Sequence, residues 1–293
     1  MHVDIVSPNN IIGNSVFALF GEVRETRKKL LLFVVLLLSI VFSSKAELDV
    51  FFLDVEQGDC AVILCDGETM MIDGGKPASS QYVYWYLREK LQLSSLWYII
   101  ATHPHEDHVG GIAAALNAVP VDLLLTPTLE WDTKAFQAVV KYADLQGCPL
   151  IIPEEGDVYA LGSAEITILS CWTDAWDANC MSIVCRIDYG ENSFLFTGDA
   201  EDIVEYMMLD AGCELKSDVL KVGHHGSDTS STQAFLEAVG PQYAVISCGE
   251  ENPYGHPREE VLERLSEAGA VILRTDQLGT ITMHSDGKTI TVE

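Results

Sequence analysis

The chain has 293 residues, of which 48% are hydrophobic and 21% are charged. This composition excludes an intrinsically disordered chain and is ample for a globular domain with a sizeable core. Seventeen basic and 44 acidic side chains give a formal charge of −27. Such a surface repels polyanions and membrane headgroups at long range, which disfavours extensive nucleic-acid contact unless bound cations offset the repulsion.

The N-terminal segment has the pattern of an export signal. Basic residues at positions 24–29 precede a nearly unbroken apolar run of 13 residues, Leu30 to Phe42. This length suits a signal peptide and is short for a membrane span, which needs about 20 residues. Small residues at Ser44 and Ala46 mark a cleavage site. We therefore predict that residues 1–46 are a signal peptide, with an uncleaved membrane anchor as the alternative, and that the protein acts outside the cytoplasm.

From residue 47 onward, short apolar stretches alternate with amphipathic ones, and no low-complexity linker interrupts the chain. The predicted strands are Asp49–Val55, Ala61–Cys65, Thr69–Ile72, Trp97–Thr102, Asp122–Leu125, Pro149–Ile152, Ala164–Leu169, Ser182–Ile187, Ser193–Phe196, Val219–Val222, Tyr243–Ser247, Ala270–Arg274, Thr280–His284 and Thr289–Val292. The predicted helices are Gln81–Leu91, Thr133–Leu145, Ile203–Ala211, Thr232–Val239 and Arg258–Ala268. Because helices intervene among more numerous strands, we predict one α/β domain over residues 47–293, with two packed sheets and helices outside.

Two compositional features of this domain limit its chemistry. Removing residues 1–46 removes five basic and three acidic side chains, which leaves 12 basic, 41 acidic and a charge of −29. The acidity therefore belongs to the folded part. The eight cysteines follow no zinc-ribbon or redox spacing, and most lie in apolar stretches, where cysteine acts as a small hydrophobic residue. An exported chain could pair some of them, but the sequence does not give the connectivity.

The strongest chemical signal is a cluster of three histidines and one aspartate within six positions. His103, His105, Asp107 and His108 directly follow the predicted strand that ends at Thr102. A strand end followed by a tight loop can direct several imidazoles at one point, and imidazole and carboxylate ligands suit zinc, manganese or iron. This spacing predicts a metal site rather than a histidine-rich surface loop.

The pattern His-x-His-x-Asp-His after a strand resembles the signature of the metallo-β-lactamase superfamily. Two later elements fit the same order: Asp199 ends the apolar strand that precedes it, and His224-His225 follow another strand. The resemblance implies an αββα sandwich of two mixed sheets with outer helices. It also implies that Asp199 bridges two metal ions.

A closer resemblance is to the C-terminal domain of ComEC-type competence proteins and their stand-alone relatives, over about residues 47–293. It is carried by segments 52–59, 72–75, 252–257 and 275–279, together with the His-His-Gly-Ser segment. Glu56 departs from this pattern, because a glycine is common there, and this puts the local turn in doubt. No segment of the sequence resembles the transport domain of such proteins, so we do not expect these residues to form a DNA channel. Phosphorylcholine esterases share the metal motif and look like a second relative.

The resemblance implies two metal sites that differ in their ligands. The first site would consist of His103, His105 and Asp199, and the second site of Asp107, His108, Asp199 and His225. Many family members supply another histidine between the first cluster and the bridging aspartate, but here Asn179 stands at that place. An amide oxygen is a weaker zinc ligand than imidazole, so we expect a weaker first site, where Mn²⁺ competes with Zn²⁺.

The remaining candidates lie around the expected site. Because alternate residues of an extended segment face opposite ways, only one of His224 and His225 is expected to reach a metal; the esterases indicate His225, which leaves His224 to face the substrate. His256 opens a predicted helix, where an imidazole and free N–H groups favour an anion, although it could equally cap the turn. Ser227 and Asn252 are weaker phosphate-binding candidates.

Three early aspartates complete the set of candidate residues. Asp73 precedes two glycines at a strand end and is expected to hydrogen-bond a metal-binding histidine. Asp54 and Asp59 are expected to be structural, with hydrogen bonds inside their turn.

Several functions remain open at this point. The ComEC likeness favours a metal-dependent phosphodiesterase or nuclease, in which Asp107, Asp199 and His224 are catalytic, acting on a small anionic diester or single-stranded nucleic acid. The alternatives are a hydrolase of carbonyl esters, lactones or β-lactams, and a catalytically weak metal-binding module. Contact with a membrane is expected only through the N-terminal segment, and the sequence gives no oligomeric state.

Overall fold

The structure, a computed structural model, describes residues 47–293, so the predicted signal peptide or anchor lies outside the described residues. Fifteen strands form two mixed sheets. The first sheet contains β1 Leu48–Phe52, β2 Ala61–Cys65, β3 Glu68–Ile72, β4 Leu96–Ile100, β5 Val121–Leu125, β6 Leu150–Ile151, β14 Ile281–Ser285 and β15 Ile290–Val292. The second contains β7 Val158–Leu161, β8 Ala164–Ser170, β9 Val184–Tyr189, β10 Asn192–Phe196, β11 Val219–Lys221, β12 Tyr243–Ile246 and β13 Val271–Arg274.

Each sheet combines an antiparallel part with a parallel part. The strand orders are β15-β14-β1-β2-β3-β4-β5-β6 and β13-β12-β11-β10-β9-β8-β7. Strands β3 to β6 run parallel, as do β10 to β13, and the remaining pairs are antiparallel. The Asp66-Gly67 hairpin joins β2 to β3, with φ of 52° and 88° at its two residues.

The helices are α1 Ser80–Trp85, α2 Glu106–Val109, α3 Ile112–Ala118, α4 Lys134–Gln146, α5 Asp202–Ala211, α6 Gln233–Val239, α7 Glu259–Glu267 and α8 Thr275–Leu278. Three separate apolar cores show the layering. One lies between the sheets, where the rings of Phe52 and Phe196 stack at 5.7 Å, and the other two bury the outer sheet faces beneath helices. The predicted αββα sandwich is therefore confirmed.

The sequence pattern misplaced or missed several short elements. The helix expected over Gln81–Leu91 starts at Ser80 and continues after Trp85 as a π-helical turn, Tyr86–Lys90. Strand β1 ends at Phe52 rather than Val55, because the chain there turns towards the edge that carries the histidines. Helices α2 and α3 and strand β7 were not predicted, since each has seven residues or fewer and shows too little periodicity.

Two further features concern the described range only. All eight cysteines lie within residues 47–293 and all are free thiols, so none of them forms the disulfides that an exported chain could carry. Over the same residues, no helix has both the length and the apolar character needed to span a bilayer.

Candidate metal centre

The ends of β4, β10 and β11 meet at one edge of the sandwich and supply the predicted ligands. The chain leaves β4 through Thr102, passes a bend at His103 and reaches His105, which has extended backbone, before the short helix α2 begins. His103 Nε2 lies 3.0 Å from His105 Nδ1, and both nitrogens face the same point. Asp107 and His108 lie on α2, and the ring of His108 lies 4.1 Å from the ring of His103.

Asp199 lies at the centre of this arrangement, just beyond the end of β10. Its Oδ2 is 3.2 Å from His108 Nε2, 3.6 Å from His225 Nε2 and 3.8 Å from His103 Nε2. The residue is only 2% exposed. A single carboxylate oxygen therefore lies between the two groups of ligands that the sequence indicated.

The His224-His225 segment places both imidazoles at the site, through a backbone conformation that the sequence did not predict. The segment is not extended, so the argument from alternating faces was wrong: both residues have left-handed backbone, with φ of 50° and 54°. His225 is 2% exposed, and its Nε2 lies 3.4 Å from Asp107 Oδ2. His224 is partly exposed at the pocket, with Nε2 3.8 Å from Asp199 Oδ2.

The separations between these atoms fit ligands of a divalent metal ion. Bond lengths of 2.0–2.1 Å in a tetrahedral zinc site place neighbouring ligand atoms about 3.3 Å apart. The separations given above run from 3.0 to 3.8 Å. Among the described residues, four buried ligand atoms also have no hydrogen-bond partner: His108 Nε2, His225 Nε2, Asp199 Oδ1 and Asn179 Oδ1. Since buried polar atoms are normally paired, these atoms are suited to holding metal.

Asn179 occupies the position where the family pattern often has a histidine. It belongs to a 3-10 turn, Asn179–Met181, and is 8% exposed. Its Nδ2 lies 3.5 Å from Glu201 Oε1, which leaves Oδ1 directed away from that contact. Its side chain also lines the same pocket as His105 and Asp199.

Asp73 supports the centre from below. This buried carboxylate accepts hydrogen bonds from Thr102 N at 2.8 Å and Thr102 Oγ1 at 2.7 Å, and it lies 2.8 Å from His108 Nδ1. The predicted contact with a metal-binding histidine is thus present. It holds Nδ1 as the protonated nitrogen of His108 and leaves Nε2 free for a metal.

Burial and neighbouring charges shift the pKa values of the groups at the centre. Burial lowers the pKa of the His103 imidazole well below its usual range, and the nearby His108 lowers it further. Burial also works against protonation of His225, but Asp199 and Asp59 outweigh it and raise its pKa to about 10. Burial raises the pKa of Asp199, yet His108 and His225 hold it well below the usual range. The protein thus keeps carboxylates ionised at a place where cations would replace protons.

An open pocket of about 310 Å³ leads to these ligands, and His224, Tyr254 and His256 line its mouth. The rings of Tyr254 and His256 stack at 5.8 Å, and the His256 ring meets His224 edge-on at 5.6 Å. Burial, together with the neighbouring His224, lowers the pKa of His256 to about 4, so this imidazole is neutral at pH 7. Helix α7 begins at Glu259 rather than at Arg258, and His256 precedes it by three residues.

Ser227 and Asn252 have local contacts instead of a place on the pocket wall. Ser227 Oγ accepts from Thr229 N at 3.3 Å. Asn252 Oδ1 accepts from His256 N at 3.0 Å, and its Nδ2 donates to Gly249 O at 2.9 Å. Their role in binding phosphate stays a prediction, whereas their observed contacts hold the loops that carry His224 and His256.

Sequence analysis missed part of the centre. Asp54 has the expected turn contact, since its Oδ1 accepts from Glu56 N at 3.1 Å. Asp59 does not: it lies beneath the centre, 2.8 Å from Lys221 Nζ and 3.2 Å from His225 Nδ1. The available signal was Lys221 itself, a charged residue inside the apolar strand β11. Glu201 was also missed, and its Oε1 lies 3.5 Å from His224 Nδ1.

Comparisons with known proteins agree with this geometry. ComE operon protein 3 of Bacillus subtilis is 31% identical over 257 residues, covering 82% of this chain and 33% of that protein. Recombination protein 2 of Haemophilus influenzae is 31% identical over 264 residues, covering 87% of this chain and 31% of that protein. The chain thus spans about a third of the length of these relatives, and the predicted likeness to ComEC-type competence proteins is confirmed.

The solved structures give the same fold. The metallo-beta-lactamase fold protein YhfI from Bacillus subtilis superposes with a TM-score of 0.55 at 13% identity, covering 82% of this chain and 100% of that one. The sequence profile of the metallo-beta-lactamase superfamily matches residues 53–250. The αββα sandwich and the histidine and aspartate clusters at the strand ends agree with this match. The chain therefore belongs to the metallo-β-lactamase superfamily and has the fold of a metal-dependent hydrolase.

Proposed function

We propose that this chain is a metal-dependent phosphodiesterase of the ComEC-like group that acts outside the cytoplasm with two divalent ions, Zn²⁺ or Mn²⁺. The observation that supports this most strongly is the position of Asp199 Oδ2, which lies within 3.8 Å of both His103 Nε2 and His108 Nε2. One carboxylate shared by two ligand groups is the arrangement expected for a pair of neighbouring ions.

We assign these residues to two sites. His103, His105 and Asp199 would hold one ion at the first site, with Asn179 as a weak fourth ligand. Asp107, His108, Asp199 and His225 would hold the other at the second site. Four carboxylates lie at or beneath the centre, those of Asp59, Asp73, Asp107 and Asp199, and one ammonium accompanies them. The resulting three negative charges favour the binding of divalent cations.

Such a pair of ions would supply Lewis acidity at the phosphoryl group and an activated water. The residues of the chain would orient the substrate and move protons. His224 Nδ1 lies 3.0 Å from Thr229 Oγ1 and 3.5 Å from Glu201 Oε1, and both oxygens can accept its proton. We assign to His224, which lines the pocket, the binding of the departing group. His256, neutral at pH 7, would hydrogen-bond a phosphoryl oxygen at the mouth.

The size and charge of the surroundings favour a small substrate. The pocket has a volume of only about 310 Å³, and Glu106 contributes a negative charge to its wall. Lys221 is buried in an ion pair, and Arg258 lies 3.9 Å from Asp228, so neither forms part of a basic strip. Without such a strip, long tracts of nucleic acid gain little affinity. A small anionic diester, or the end of a single strand, fits these constraints better.

The experiment is to load the chain with Mn²⁺ or Zn²⁺ and assay bis(p-nitrophenyl) phosphate beside single-stranded DNA. Asp199→Ala removes the shared ligand, and the surface variant Asp188→Ala is the matched control, because Asp188 pairs with Arg186 on β9. We expect metal-dependent turnover that is lost only in Asp199→Ala. Bound metal without phosphodiester turnover would favour a hydrolase of carbonyl esters, lactones or β-lactams, or a metal-binding module without activity.

A further inference from the structure

A buried lysine lies directly beneath the proposed metal centre. Lys221 ends β11 in the second sheet and is 4% exposed. Its Nζ donates to Val222 O at 2.9 Å and lies 2.8 Å from Asp59 Oδ2. A charged group is rarely buried unless it is paired, because its loss of hydration is costly. The ammonium therefore requires Asp59, which is 5% exposed and reaches it from the loop after β1 in the first sheet.

Asp59 contacts a proposed metal ligand as well as Lys221. Its second oxygen, Oδ1, lies 3.2 Å from His225 Nδ1, and Ser247 O lies 2.9 Å from the same nitrogen. Ser247 O accepts the Nδ1 proton, which fixes the tautomer and leaves Nε2 for a metal, and the Asp59 carboxylate lies beside the same N–H as its charged neighbour. The Asp59 backbone is also tied to the ligand loop, because its N–H donates to Asp107 O at 3.1 Å.

The backbone approach at this point is unusually close. A Cβ placed on Gly58, whose φ is 147°, would lie 2.5 Å from Asp107 O. Only glycine allows the loop to come so near, and this proximity is what brings the Asp59 carboxylate under His225. The loop after β1 and the helix α2 that carries Asp107 therefore form one packed unit.

The two proposed sites differ in what supports their imidazoles. At the second site, each imidazole has a buried carboxylate beside Nδ1: Asp73 for His108 and Asp59 for His225. At the first site, His103 Nδ1 meets hydroxyl groups, at 3.2 Å from Thr102 Oγ1 and 3.4 Å from Ser182 Oγ. A carboxylate raises the basicity of the imidazole it supports and orients the ring more strongly than a hydroxyl does.

We propose that Lys221 and Asp59 are positioning residues that fix His225 as a metal ligand and thereby make the second site the tighter of the two. The inference rests on the proposed two-metal centre. Lys221 neutralises Asp59 and holds it from the opposite sheet, and Asp59 orients His225. Lys221 has no part in holding a phosphate, because it does not line the pocket and its ammonium faces Asp59.

The test is a competition titration of the full-length chain with Zn²⁺ and a chromophoric chelator, which yields two dissociation constants without any assay of turnover. Single variants of this pair leave one buried charge without its partner and are expected to fold poorly. The double variant Lys221→Met with Asp59→Leu removes both charges with side chains of similar size. Lys216→Met, an exposed lysine before the same strand, is the matched control.

We expect the double variant to fold, as judged by circular dichroism and its thermal transition, and to bind one Zn²⁺ about 10- to 100-fold more weakly, the range for lost partners of metal ligands. The other constant and those of Lys216→Met should match the wild type. Wild-type constants for both ions in the double variant would overturn the positioning role while leaving the proposed function intact. A wild-type chain that takes up no Zn²⁺ would overturn both.

Discussion

The contact between Asp73 and His108 leads to a prediction about metal affinity. Asp73→Asn is nearly isosteric, and asparagine tolerates the left-handed backbone found here, with φ of 57°. The side-chain amide of this variant could still accept from Thr102 N through its oxygen, and the Thr102 hydroxyl can turn to accept from the amide N–H. The contact with His108 Nδ1, now 2.8 Å, cannot be kept in this way, because two N–H donors would face each other.

The size of the effect follows from that single lost contact. In the variant, the tautomer of His108 that carries its proton on Nε2 becomes the more stable one, because Nδ1 can then accept from the amide N–H. The Nε2 atom, which faces Asp199, is then protonated and cannot bind a metal. To bind a metal it must return to the original tautomer with a buried N–H unpaired, which costs about 1–3 kcal/mol. Since about 1.4 kcal/mol corresponds to a factor of ten, the affinity of the second site should fall by about 10- to 100-fold.

The assay is the Zn²⁺ competition titration, with Asp54→Asn as control. Asp54 lies in the loop after β1, where its Oδ1 accepts a turn contact from Glu56 N. We expect one weakened constant in Asp73→Asn and none in Asp54→Asn. The first site should be affected less, because the Nδ1 of His103 also contacts Ser182 Oγ, although it shares Thr102 Oγ1 with residue 73. Two wild-type constants in Asp73→Asn would refute the idea that this carboxylate selects the tautomer.

Three further predictions follow from other contacts. Glu56 has a left-handed backbone, with φ of 61°, and this conformation costs residues other than glycine roughly 1–2 kcal/mol. The melting temperature of Glu56→Gly, measured by calorimetry, should therefore lie about 2 °C above that of Glu56→Ala. The reverse order would contradict this prediction. Asn179→His should tighten the first metal site in the Zn²⁺ titration, because imidazole is the better ligand, and an unchanged constant would show that position 179 does not reach the ion. The hydrogen bond from His284 to Asp49 raises the pKa of His284 in the folded protein. This contact therefore stabilises the fold fully below about pH 6.5, and its contribution is lost as the pH rises through the folded pKa. Replacing His284 by Asn should therefore lower the melting temperature more at pH 5.5 than at pH 8.5. Because the pair is exposed, the difference corresponds to only a few tenths of a kcal/mol in the free energy of unfolding. Equal losses at both pH values would count against a pH-dependent contribution of this pair.

The glutamate at position 56 shows how a departure from a family pattern is accommodated. Sequence analysis placed the local turn in doubt there. The turn is kept, with Glu56 itself in the left-handed conformation and its carboxylate paired with Lys76. The strain is therefore local, and the next residues still deliver Gly58 and Asp59 to the ligand loop.

The sequence was informative wherever function is encoded in consecutive residues or at the ends of strands. The histidine cluster after β4 was identified from its spacing, and the acid after β10 and the histidine pair after β11 from the family resemblance; the structure brings His103, His108, Asp199 and His225 within a few ångströms of one another. The periodic helices α4, α5 and α6 were predicted to within about one residue at each end. Short elements such as α2 were not, because four residues contain too little periodicity to distinguish a helix from a loop.

By itself, the sequence determined the fold class and the ligand types, since both depend on local patterning and on the order of motifs along the chain. Only the tertiary structure decided how those ligands are supported. Asp59 and Lys221 are 162 positions apart and belong to different sheets, so nothing in their neighbours along the chain indicates the pair. The left-handed turn at His224 and His225 is likewise invisible to side-chain periodicity, because φ at those residues is set by the packing of the loop against the end of β10. Contacts of this kind arise when two sheets close on each other, and that closure fixes the distances.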